Sequence, residues 1–151
     1  MPDIKKLISD LQRLYPDAKY ELDFQSPFQL LIATVLAAQC TDERVNRVTP
    51  TLFQRYPDPE AFVAAEPEEL EAALQPTGFF RQKARTVKAV CQALIERFGG
   101  QVPARLEDLV TLPGVARKTA NVVLTTAFQI PSGIVVDTHV SRVSRRMGLV
   151  D

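Results

Sequence analysis

The segment Leu112-Pro113-Gly114-Val115-Ala116-Arg117-Lys118-Thr119 carries the most chemistry per residue in this 151-residue chain. It reads as a tight turn between two helices. Gly114 gives the backbone freedom there, and the small Ala116 lets the backbone approach a partner closely. The first N–H groups of the following helix have no internal acceptors, so they offer a ready seat for a phosphate. Arg117 and Lys118 stand at the positive end of that helix, an unfavourable place for cations by about 0.3–1 kcal/mol each. A bound phosphate would offset this. So would a need for a neutral lysine amine, which is a nucleophile. A plain hairpin with solvated Arg and Lys accounts for the same residues without chemistry.

Asp137 is the second candidate. A helix over 117–128 travels about 18 Å from the turn. Extended, the connection 129–136 spans about 26 Å, enough to return the chain to Lys118. Asp137 also suits the N-cap of a following helix. As a cap alone it needs no further role. Facing the Lys118 amine, it would tune that amine and balance positive charge developing on a substrate.

These residues require a helical frame, and the apolar spacing supplies one. Ile4, Leu7, Ile8, Leu11 and Leu14 lie on one helix face, and Pro16 closes the segment. Ser26-Pro27 reads as an N-cap and a proline at the first helical position, opening a nearly all-apolar, deeply buried helix from Phe28 to Gln39. Thr41-Asp42 opens another, with Val45, Val48 and Leu52 inward and Pro50 expected to kink or shorten it. Asp58-Pro59 and Glu66-Pro67 begin two short helices. Phe80, Ala84, Val87, Cys91, Leu94 and Phe98 form a long stripe ended by Gly99-Gly100. Cys91 fits that stripe as buried packing. Short and longer helices follow over Leu106–Thr111 and Arg117–Phe128, and a last one over Asp137–Met147. Only Ile134-Val135-Val136 reads as extended, too short for a sheet. The expected class is all-α, with about eight to ten short helices.

Composition fits this frame. With 46% apolar and 24% charged residues, the chain buries a real core. No apolar run reaches the roughly 18–20 residues of a membrane span, and the N-terminus lacks the apolar stretch of a secretory signal. Cys40 and Cys91 are too far apart for a metal-ligand motif, so neither a disulfide scaffold nor a metal site is expected. The zero net charge hides a split: residues 1–75 carry 7 basic and 13 acidic side chains, residues 76–151 carry 11 and 5. Such asymmetry fits an anionic partner such as nucleic acid, and equally two halves that attract each other.

With these residues in view, the sequence resembles the helix–hairpin–helix DNA glycosylases, specifically the endonuclease III family. The resemblance rests on Ser26-Pro27-Phe28, Ala38-Gln39-Cys40-Thr41-Asp42, Thr77-Gly78-Phe79-Phe80 with Lys83-Ala84, Leu112 to Asn121, and Val136-Asp137-Thr138-His139-Val140. It covers nearly the whole chain.

The resemblance implies a bifunctional base-excision repair enzyme that removes oxidised pyrimidines and nicks the abasic site. It maps the nucleophile to Lys118 and the catalytic aspartate to Asp137. It maps DNA contacts to Leu112, Gly114, Val115, Ala116, Arg117, Thr119 and His139. Gln39 corresponds to the residue that fills the gap left by a flipped base, and Phe79 to the wedge, usually aliphatic, at the opposing base. Ala116 replaces the second glycine of the hairpin. Buried roles for Gln39 and Phe79, and a surface role for His139, are the alternatives. Arg142, Arg145 and Arg146 form either a solvated face or a phosphate contact.

The implied organisation is an N-terminal helix in 1–20 from an incomplete second domain, a six-helix domain over 21–136 with the hairpin motif at 105–128, and the start of a C-terminal-domain helix over 137–151. Relatives carry a [4Fe–4S] cluster on four cysteines beyond the position of residue 151. The two cysteines here cannot build it, so no cofactor is expected in this chain. As a truncated or reduced member, the chain is expected to expose Ile4, Leu7 and Leu11, with lowered stability, weaker DNA binding and possible self-association. The implied partner is double-stranded DNA with damaged pyrimidines or abasic sites, bound by a monomer; the implied place is the bacterial cytoplasm at the nucleoid. Two other functions stay open: a catalytically silent helix–hairpin–helix DNA-binding module, and an all-α protein-interaction domain.

Overall fold

The computed structural model describes residues 3–14, 21–130 and 145–146. The chain divides into two compact units, Met1–Tyr20 with Ile134–Asp151, and Glu21–Gly133. Among the described residues every regular element is helical. The expected extended residues 134–136 and the helix Asp137–Met147 lie largely outside the described residues.

In the first unit, α1 spans Ile4–Leu14. Asp3 starts it by accepting from the Lys5 and Lys6 N–H groups at 3.0 and 3.2 Å. Its apolar stripe is the expected one, and Ile4, Ile8, Leu11 and Leu14 are exposed while Leu7 is half-buried.

In the second unit, α2 (Pro27–Leu36) is capped by Ser26, whose hydroxyl accepts from the Gln29 N–H at 3.2 Å. Leu30, Leu31, Ile32, Ala33 and Leu36 are all buried, as a helix with apolar residues on every side demands. The helix stops at Leu36, three residues earlier than its apolar pattern predicts. A turn over Ala37–Gln39 follows, with Gln39 at φ 52°.

Helix α3 (Asp42–Arg55) starts at Thr41, whose hydroxyl accepts from the Arg44 N–H. It continues through Pro50 to Arg55 instead of being shortened. The proline is exposed, whereas Val45, Thr49 and Leu52 are buried. That packing holds the helix through the lost hydrogen bond. Asn46, whose carbonyl would have accepted it, is tied by its side chain to the Glu21 carbonyl and the Asp23 N–H, both at 2.8 Å.

Helices α4 (Pro59–Ala64) and α5 (Pro67–Leu74) begin at their prolines as expected. Asp58 caps α4 through the Ala61 N–H at 2.8 Å, but Glu66 makes no side-chain cap to α5. A 3-10 turn, Gln75–Thr77, leads into α6 (Phe80–Phe98), the long central helix on which α4 and α5 pack. Ala84, Val87, Val90, Cys91 and Leu94 of α6 are buried. Gly99 and Gly100 end it with positive φ, and the Gly100 N–H donates to the Leu94 carbonyl at 2.8 Å.

Phe62 of α4 is fully buried at the centre of an aromatic cluster. Its ring centroid lies 5.9, 6.4 and 5.2 Å from those of Phe28, Phe53 and Tyr56. Lys88 of α6 caps the end of α4 by donating to the Ala65 carbonyl and, at 3.5 Å, to the Val63 carbonyl.

The hairpin joins α7 (Leu106–Leu109), a single turn, to α8 (Arg117–Val122). The predicted helix 117–128 continues from α8 as a π-helical turn, Val123–Ala127, closed by the Phe128 N–H on the Val123 carbonyl at 3.2 Å. Arg97 near the end of α6 holds the segment before the hairpin, donating to the Thr111 hydroxyl at 2.8 Å and its carbonyl at 3.4 Å. Among the described residues, no helix is long and apolar enough to cross a membrane.

Candidate functional site

The hairpin is pinned from behind and open in front. Leu112 and Val115 are buried and anchor its two sides, while Pro113, Gly114 and Ala116 are exposed. The Val115 N–H closes the turn on the Leu112 carbonyl at 3.2 Å. Gly114 sits at φ 72°, and a Cβ built there would lie 2.5 Å from Thr86 Cγ2 on α6. Any side chain would therefore be strained in the backbone and would collide with α6.

Ala116 precedes the first turn of α8 in extended conformation, and no side chain caps that turn. Its leading N–H groups are thus left to water or to an outside acceptor. Arg117 and Lys118 are both exposed, and neither has an ion-pair partner among the described residues.

A cleft of about 290 Å³ lies beside the hairpin, between the end of α2 and the start of α6. It gathers four of the sequence-predicted residues, Gln39, Phe79, Gly114 and Thr119. They come from three separate stretches of chain. A larger hollow, about 510 Å³ and lined from Asp23 to Gln54, holds none of the candidates.

Gln39 and Phe79 both lie at the surface of this cleft. Gln39 is exposed and so is no buried cap. Phe79 is 60% exposed and so is no core residue. Both have positive φ, 52° and 46°, in the left-handed region that side chains other than Gly, Asn and Asp rarely enter. Strained, exposed side chains at a cleft are a common mark of a working site.

Lys83 was not among the predicted site residues. It lines the same cleft, yet only 5% of it is accessible. Its ammonium donates to the Leu36 carbonyl at 2.8 Å and the Thr77 carbonyl at 2.7 Å. Burial pushes its pKa below the usual lysine range, and nearby Cys40 acts in the opposite direction. A signal was present in the sequence: Lys83 falls three residues after Phe80 and four before Val87, inside the apolar stripe of α6. Thr34, Val35, Ala38, Gln82 and Thr86 complete the lining, with no chemical signature that singles them out.

Asp137, His139 and Arg142 lie outside the described residues. Arg145 and Arg146 are exposed and helical. No group of three or more His, Cys, Asp or Glu side chains that could hold a metal occurs among the described residues. The two thiols do not fit a four-thiolate cluster either. Cys91 is buried in α6 with its pKa pushed up to about 12, by burial first and then by Glu60 and Asp58. Cys40 is half-buried at the turn after α2, its thiol 3.6 Å from the Thr41 carbonyl.

An all-α unit with a hairpin whose leading amides are uncapped, and a cleft beside it edged by two strained side chains, defines a helix–hairpin–helix domain. Comparison with known proteins gives the family. The profile of the HhH-GPD superfamily of base excision DNA repair proteins matches residues 32–151. Endonuclease III of Synechocystis is 58% identical over 139 residues, covering 92% of this chain and 64% of that protein. Endonuclease III of Bacillus subtilis is 46% identical over 149 residues, covering 99% and 68%. Two solved structures, an endonuclease III in a non-covalent complex with DNA and one trapped as a covalent DNA intermediate, each match with a TM-score of 0.91. They are 46% and 45% identical, and each match spans all of this chain and 72% of that one. The chain belongs to the endonuclease III family of the HhH-GPD superfamily. It spans about two thirds of the length of these relatives, 64% of the Synechocystis protein.

Proposed function

We propose that this chain acts in base-excision repair as a DNA glycosylase with abasic-site lyase activity, on duplex DNA that carries oxidised pyrimidines or abasic sites. The observation that carries the reading is the cleft at the hairpin, where Gln39, Phe79, Gly114 and Thr119 meet in a chain of this family. It would bind as a monomer, in the bacterial cytoplasm.

A base inside a duplex stack is out of reach of any side chain, so the nucleotide must swing out. The hairpin amides and the first turn of α8 suit a phosphate of the distorted strand and hold it without reading sequence. Leu112 and Val115 shape that turn from inside; Gly114, Ala116, Arg117 and Thr119 face the backbone. His139 belongs to the same contact in this reading. Gln39 hydrogen-bonds the orphaned partner base, and Phe79 fills the apolar space vacated in the stack.

The Lys118 amine then attacks C1′ of the deoxyribose. The N-glycosidic bond breaks, and the base leaves with the bonding pair and takes up a proton. Asp137 accepts the proton that the amine must shed and offsets the positive charge on the sugar. Ring opening gives a Schiff base between Nζ and C1′. That iminium makes the 2′ proton acidic, and its removal expels the 3′ phosphate by β-elimination. No step runs through an iron–sulfur cluster, because the residues present do not fit one.

The test is borohydride reduction in the presence of duplex DNA containing thymine glycol or an abasic site. A covalent protein–DNA adduct is expected. Salt-dependent DNA binding with no adduct would leave a silent DNA-binding module. No binding even at low salt would point to the protein-interaction alternative.

A further inference from the structure

The two exposed side chains at the cleft share one buried anchor. The chain leaves α2 at Leu36 and turns to place Gln39 at φ 52°. It leaves the 3-10 turn at Thr77 and passes Gly78, at φ 76°, to place Phe79 at φ 46°. Leu36 and Thr77 are the last residues of their helical elements, so their carbonyls lack helical partners. The single ammonium of Lys83 donates to both, at 2.8 and 2.7 Å. Gln39 lies three residues beyond one gripped carbonyl, and Phe79 two beyond the other.

The left-handed conformation is unfavourable for both side chains, so it persists only where the surroundings hold the backbone. The exposed side chains add little to that hold; the Cys40 N–H on the Ala37 carbonyl at 3.2 Å and the Lys83 N–H on the Phe79 carbonyl at 2.9 Å each brace one turn separately. Thr77 adds to the hold at one root, its hydroxyl donating to the Leu74 carbonyl at 2.7 Å. Lys83 joins the two roots through one group.

We propose that Lys83 is a positioning residue whose ammonium, by gripping the Leu36 and Thr77 carbonyls together, sets Gln39 and Phe79 as a matched pair for entry into the DNA stack. This rests on the repair function proposed above. It also explains why a lysine occupies a buried position on α6. An apolar side chain there would leave two carbonyls without donors, and one donor could serve only one turn.

Two variants grade the grip. Lys83→Gln keeps an amide donor on a side chain one atom shorter, and Lys83→Met removes the donor. The readout is a ratio: excision of thymine glycol from duplex DNA, which needs the pair, over borohydride trapping on an abasic site in single-stranded DNA, which does not. Misplacing the pair by about 1 Å should lower that ratio by roughly 10- to 100-fold in Lys83→Met, with Lys83→Gln between it and the parent. A ratio unchanged in both variants overturns the proposal, because a loss of fold alone lowers numerator and denominator together.

A second measurement needs no activity. The chain has no tryptophan, so Phe79→Trp gives a lone fluorophore at one tip. Adding Lys83→Gln or Lys83→Met should increase its fast anisotropy decay, and an unchanged decay counts against the grip. If the parent protein forms no adduct while the anisotropy responds as expected, the repair function fails and the clamp stands.

Discussion

Replacing Gly114 by alanine should separate two physical reasons for glycine at the hairpin. The backbone reason is φ 72°, which for an L side chain is worth about 1–2 kcal/mol. The packing reason is the 2.5 Å approach of the new Cβ to Thr86 Cγ2. That is a hard overlap against a helix that cannot retreat far, and overpacking of this kind runs to about 1–3 kcal/mol. Together they give a loss of about 2–5 kcal/mol, a large share of the roughly 5–15 kcal/mol expected for a whole domain. Thr86→Ser removes Cγ2, leaving atoms at 3.8 and 4.0 Å, so it relieves the overlap and not the φ strain. Urea unfolding of Gly114→Ala, Thr86→Ser and the double variant closes a thermodynamic cycle. A coupling of about 1–3 kcal/mol is expected, the double variant recovering most of the packing loss. A Gly114→Ala loss equal in both backgrounds would refute the contact of the hairpin with α6.

Three further outcomes follow from the core. At pH 8, iodoacetamide should label the native protein at Cys40 and spare Cys91, and peptide mass spectrometry would show both labelled only in denaturant; rapid native labelling of Cys91 contradicts its burial. The raised Cys91 pKa, about 12 against an ordinary 9.0, also sets a pH dependence. Its contribution to stability is full below pH 9 and declines as pH rises toward 12, because the unfolded thiol ionises first. Phe62→Ala should lower unfolding free energy by about 3–5 kcal/mol, since the ring is fully buried among three others; a loss below about 1 kcal/mol would contradict the cluster.

Helix starts and the core stripe were legible in the sequence because local chemistry decides them. Ser26-Pro27, Thr41-Asp42 and Asp58-Pro59 each pair a capping oxygen with a residue suited to the first turn, and each opens a helix where expected. The α6 stripe and its Gly99-Gly100 stop were equally plain. Endings set by tertiary contacts were not. Nothing between Leu36 and Gln39 forbids more helix; Lys83, far along the chain, captures the Leu36 carbonyl where the helix stops. Pro50 signals a break that buried Thr49 and Leu52 override. The π-helical turn at Val123–Ala127 has no marker in its residue types.

The site divides along the same line. The hairpin was visible because Gly114 and the two cations after it are locally odd. The positive φ of Gln39 and Phe79 was hidden, because neither residue type announces it. Lys83 was hidden among the family motifs, although a lysine inside an apolar stripe is itself an anomaly.

The central claim is that the amine at position 118 becomes covalently joined to deoxyribose. The most direct measurement is borohydride trapping on abasic-site DNA, followed by digestion and mass spectrometry of the linked peptide. The account predicts that the sugar remnant lies on Lys118 Nζ, and that Lys118→Ala, still folded and still binding DNA, yields no adduct. An adduct of parental yield in Lys118→Ala, or a remnant mapped to another residue, would contradict it.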